Sequence, residues 1–135
     1  MHYFKIVLIA LIVSSCGKPP IFNKAEKAAI HLYAENFQVE KIGFTLKWIV
    51  SPSLDELSSF EITLERELKP GQTISSYIWM PDMGHGSSPI MVQQISATTI
   101  QFTELAFIMP GLWTLHLEIN ENNKVIDQWQ RPFTL

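Results

Sequence analysis

The chain has one cysteine, Cys16, in 135 residues. No disulfide can therefore brace the domain, and stability must come from an apolar core that is adequate at this length but not generous. Cations are few: ten Lys and Arg stand against thirteen Asp and Glu, for a formal net charge of −3. No basic patch exists for nucleic acid, which excludes that class of partner. There is also no Gly-x-Ser-x-Gly elbow, no phosphate-cradling glycine loop and no free cysteine nucleophile. A carboxylate pair for hydrolysis would have to be chosen arbitrarily from surface acids such as Asp55 and Glu56. No enzyme is expected beyond redox chemistry at a bound metal, and the sequence shows neither an open coordination position nor a substrate cleft for that.

Long apolar runs are missing too. Ile6 to Val13 is too short to span a bilayer as a stable helix. It follows Lys5 and reads as the apolar stretch of a signal peptide, to be set aside from fold reasoning. Val13-Ser14-Ser15-Cys16 then resembles a bacterial lipobox, in which small residues precede a cysteine that is diacylated after cleavage. A buried cysteine or an ordinary signal peptide is the weaker alternative, because Cys16 lies where the apolar run ends. The expectation is a lipoprotein signal peptide over 1–15, a lipidated Cys16 and Pro-containing tether over 16–27, and a folded domain over 28–135. Two or more acyl chains make a stable membrane anchor. Gly17 after the lipidated position implies, by resemblance to Gram-negative lipoproteins, outer-membrane sorting with the domain facing the periplasm. Removing 1–15 takes Lys5 from the ten basic residues, leaving nine against thirteen acidic, a net of −4.

The rest of the chain has a period of two. Residues 25–35 are ambiguous between helix formers and strand spacing, with a first strand expected at 28–34. Phe44, Leu46, Trp48 and Val50 alternate with Thr45, Lys47 and Ile49. Phe60, Ile62 and Leu64 alternate with Glu61, Thr63 and Glu65. Trp113, Leu115, Leu117 and Ile119 alternate with Thr114, His116 and Glu118. Each is a strand with one buried and one wet face. Turn signals separate them at Ser51-Pro52-Ser53, Lys69 to Gln72, Pro81 to Pro89, Met109-Pro110-Gly111 and Asn120 to Asn123. The pattern predicts an all-β fold, an immunoglobulin-like antiparallel β-sandwich of seven or eight strands. If every connection reverses direction, the loop 80–88, the turn 108–111 and the loop 51–58 share one pole, with the other turns at the opposite end.

That pole would hold the stretch with the most chemistry, Trp79-Met80-Pro81-Asp82-Met83-Gly84-His85-Gly86. Thioether plus imidazole is a ligand set that favours copper, above all Cu(I), over hard cations. Met83 and His85 are the first candidates as metal ligands, since no apolar period accounts for them. Met80 is a possible third ligand and Met109 a fourth; for those two, core packing at a strand end weighs slightly more than ligation. Asp82 could hydrogen-bond the second ring nitrogen of His85, but capping the local turn is the simpler role. Met91 reads as packing, and His116 and His31 as solvated. Trp48, Trp79 and Trp113 read as core or rim aromatics, although Trp79 could also shield a metal at Met80.

Met80-Pro81-Asp82-Met83-Gly84-His85-Gly86, followed about twenty residues later by Phe107-Ile108-Met109-Pro110-Gly111-Leu112-Trp113, resembles the YtkA-like and FixH-like families of small bacterial membrane-anchored domains. In those families a Met-Pro-x-Met-Gly-His segment precedes a Met-Pro-Gly-x-Trp strand start inside an immunoglobulin-like sandwich. The resemblance spans roughly 43–120. It implies an extracytoplasmic domain and a protein partner in copper handling or respiratory-oxidase assembly. Two departures stand out: FixH-like proteins carry a transmembrane anchor, and the histidine-rich surroundings of some YtkA-like members are reduced here to His85. The expected function is a lipid-anchored copper-binding chaperone, buffer or resistance factor. The alternative is a structural or interaction lipoprotein whose Met- and Trp-rich loop contacts a partner.

Overall fold

Alternation of apolar and polar residues decides which side of each strand is buried, and two such amphipathic sheets can satisfy each other only face to face. The computed structural model describes Ile21 and residues 32–135. The expected signal peptide, Cys16, His31 and, apart from Ile21, the tether lie outside the described residues. Among the described residues nine strands run in chain order: β1 Leu32–Phe37, β2 Ile42–Val50, β3 Ser58–Leu64, β4 Gln72–Met80, β5 His85–Gly86, β6 Met91–Gln94, β7 Thr99–Leu105, β8 Leu112–Glu121 and β9 Lys124–Thr134. One sheet has the order β1-β2-β3-β7-β6 and the other β5-β4-β8-β9. Every strand pair is antiparallel. The fold is the expected all-β sandwich, with nine strands among the described residues instead of seven or eight, because the two residues of β5 form a strand inside an expected loop. Among the described residues no helix is long and apolar enough to cross a membrane.

The core lies between the sheets. Phe44, Leu46 and Trp48 of β2 meet Phe60 and Ile62 of β3, Ile100 and Phe102 of β7, and Trp113, Leu115, Leu117 and Ile119 of β8, all buried. Phe60 and Phe102 stack at 4.6 Å between centroids, and Trp48 meets Phe60 edge-on at 5.3 Å. Val50 departs from the expected alternation. A register shift between Trp48 and Val50 turns it partly outward. The first strand also differs from the expected 28–34, since β1 continues to Phe37, whose ring is buried against Phe44 at 4.9 Å. At the far end β8 turns into β9 through Asn122 and Asn123, both at positive φ (51° and 60°). Two such residues in succession match the twist of a tight hairpin.

The expected reversal of direction holds. Leu54 to Leu57 and Ala106 to Ile108 line one shallow depression, and Met80 touches the 109–111 turn. The connections 51–57, 81–84 and 106–111 therefore share a pole. Two residues of the loop expected over 80–88 form the short strand β5. β5 closes the edge of one sheet, then the chain crosses to the edge of the other as β6.

Candidate metal centre

β4 ends on Met80, and the chain reverses at once. The N–H groups of Met83 and Gly84 donate to the Met80 carbonyl at 3.2 and 3.0 Å. Gly84 takes φ 66°, the left-handed region that a Cβ resists. The chain returns as β5, which brings His85 directly opposite Met80. Residues opposed in this way share a face of the sheet, with Cβ atoms about 4.5–5.5 Å apart. Met80 is 4% exposed and faces the core, so His85 stands half-buried on the core side of the rim.

The imidazole meets the Trp113 indole edge-on, with centroids 6.3 Å apart and planes at 78°. Trp113 is fully buried, and its Nε1 donates to the Met109 carbonyl at 3.0 Å. That bond ties the start of β8 to the turn before it. The Met80 methyl group fills the space that a Cβ on Gly111 would need, and Gly111 sits at φ 139°. Two connections from opposite ends of the sequence motif thus meet around one thioether.

His85 Nδ1 lies 3.2 Å from the Gly86 carbonyl oxygen. A carbonyl can only accept, so this contact selects the Nδ1–H tautomer and leaves the Nε2 lone pair available. Metal-bound histidines are commonly oriented in this way, with the second nitrogen on a backbone carbonyl. Gly86, rather than Asp82, is the partner.

Of the four expected ligands, Met80 and His85 are brought together as a cross-strand pair. Met109 packs half-buried against the core, and its carbonyl accepts from the Trp113 indole that meets His85. Met83 rides the turn tip with its side chain 58% exposed. Among the described residues no group of three or more His, Cys, Asp or Glu could hold a metal. The soft donors at this pole are thioethers and one imidazole, which fit an ion such as Cu(I).

Four readings need correction. His85 belongs to an edge strand, not a free loop; five-residue spacing from Met80 across Pro-Asp-Met-Gly was the signal for a hairpin. Trp79 points to the opposite, outer face, where its ring lies over Gly86, so Trp113 is the indole beside His85. His116 is not a solvated histidine: it stacks on Tyr77 at 4.3 Å with planes 6° apart, and burial lowers its pKa below the ordinary 6.5. Met91 does not pack, because β6 is exposed along its whole length.

No protein-family model matches the chain, and no curated protein matches it. Among solved structures, the chain is similar to FetP of uropathogenic Escherichia coli strain F11 in its as-isolated form, expressed in the periplasm, at 10% identity and TM-score 0.48. It is similar to a copper-bound variant of the same protein at 10% identity and TM-score 0.47. Each match covers 78% of this chain and 95% of the other. Identity and overlap at these levels leave function to be argued from this chain's own residues.

Proposed function

We propose that this chain is a lipid-anchored, extracytoplasmic copper-binding protein that takes one Cu(I) ion at the 80–85/109–111 pole and acts as a chaperone, buffer or resistance factor without turnover. His85 would supply Nε2, and Met80, Met83 and Met109 would supply thioether sulfur. The observation that carries the reading is the direct pairing of Met80 with His85 on the core side of the rim. Two soft donors there start from neighbouring backbone positions, with Gly86 holding the ring's other nitrogen. Thioethers need no deprotonation and suit an oxidising compartment where free thiolates do not persist. The anchor rests on Cys16 in its lipobox-like setting. The sequence likeness to YtkA-like and FixH-like domains supports a partner in copper handling or oxidase assembly.

Titration of the full chain with Cu(I) against a competing chelator tests this. One equivalent is expected to bind, and His85→Ala combined with Met80→Leu to weaken it at least about a hundredfold, close to 2.8 kcal/mol. Met→Leu keeps the core volume, so the fold survives the change. Unchanged affinity in the double variant would eliminate this site. The exposed Met83, together with Leu54, Leu57 and Ile108 at the same pole, favours a second reading as a protein-docking end. In that case Met83→Ala would lose a partner while the wild type bound no metal.

A further inference from the structure

Where a tether enters a fold, and how far it reaches, limit which side of the domain can face the membrane. Ile21 enters at the metal pole. It bridges to Thr134, which opposes Leu112 at the start of β8, and the adjoining Gly111 and Leu135 exchange backbone hydrogen bonds at 3.0 Å. Ile21 therefore stands beside the 109–111 turn, at the pole that also carries Met80 and His85. Cys16 is five residues earlier in the sequence. Five residues span at most about 18 Å, even fully extended. β9 runs from the opposite pole to Thr134 through eleven residues, a length of about 35 Å. An upright domain with that opposite pole against the lipid would hold Ile21 about 35 Å from the anchor's plane, beyond the tether's reach.

The surface nearest the anchor is also apolar. Leu54, Leu57 and Ile108 line one shallow depression, and each is about half exposed or more; Met83 and Ile21 are exposed at the same pole. No Lys or Arg occurs in the connections 51–57, 81–84 and 106–111, where the only charges are Asp55, Glu56 and Asp82. Such a surface meets lipid through apolar side chains at headgroup level and gains nothing from anionic lipid. The opposite pole is charged instead. Lys69 pairs there with Glu40 at 2.7 Å, with Arg66 beside them, and Val39 and Val125 are exposed among these charges.

We infer that the domain stands with its metal pole against the bilayer, Leu54, Leu57, Ile108 and Met83 meeting the lipid surface, an inference that rests on the Cys16 anchor proposed above. Lipid is the occupant because the short tether brings it to this pole, while the acids at the patch keep the contact shallow. A Cu(I) ion held by Met80 and His85 is then presented to the bilayer side and not to the open aqueous compartment.

Headgroup quenching of the full lipidated protein in phosphatidylcholine vesicles, doped with a lipid carrying a nitroxide on its headgroup, tests the inference. A fluorophore is attached at Leu57→Cys or, at the opposite pole, at Val125→Cys, both exposed positions. Quenching at 57 is expected to exceed that at 125 at least about threefold. No metal is needed, so the result does not depend on copper binding. Intact mass and vesicle flotation, compared with Cys16→Ala, read the anchor separately. An acylated protein that floats with the vesicles yet is quenched equally at both positions, or more at 125, would overturn the inference and leave the anchor standing. A chain without acyl mass at Cys16 would overturn the anchor and the inference with it.

Discussion

At Gly111 a side chain of any kind would collide with the Met80 methyl group, and the backbone there stands at φ 139°. The two effects act together. Alanine at a positive φ is strained whatever the space around it, and here it must also push the thioether out of its place. Gly111→Ala is expected to lower the free energy of unfolding by more than about 1 kcal/mol, read by urea denaturation. On the proposed reading it weakens Cu(I) binding as well, because the Met80 sulfur moves with its methyl. His85 shows the same dependence on a neighbour. Its Gly86 contact fixes the tautomer, so the backbone of an adjacent residue decides which nitrogen faces outward.

At the scale of elements, the turn between β1 and β2 is held from the other sheet. Asp127 of β9 is buried and accepts from the N–H groups of Val39 and Glu40 at 2.8 and 2.7 Å, and from its neighbour Gln128 at 2.8 Å. Asp127→Ala would leave these donors without their acceptor and is expected to cost about 2–4 kcal/mol in chemical denaturation. Nothing in the sequence around Asp127 pointed to this role, since its two main partners lie 88 and 87 residues away. The strands themselves were legible because a period of two survives in each sequence segment. Pole-sharing was legible from direction reversal alone. What escaped was set by pairing across strands: β5 as a two-residue edge, the outward turn of Val50 at a bulge, and the stacking of His116 on Tyr77. In the candidate site, Met80 and His85 were both visible as residue types. Their direct opposition depends on the length of the turn between them, which the motif's glycines blurred into a longer loop.

At the scale of the whole molecule, the sandwich is asymmetric. One side is clasped by Glu35, Arg131, Trp129 and Tyr33, the other is open at β5 and β6, and the soft donors gather at one pole. The account depends most on that pole. X-ray absorption at the copper edge of the full chain loaded with one equivalent of Cu(I) tests it most directly. The account predicts a coordination shell of one imidazole nitrogen with two or more thioether sulfurs, losing its nitrogen in His85→Ala and a sulfur in Met80→Leu. A shell of oxygen and nitrogen without sulfur, or one that neither substitution alters, would contradict it.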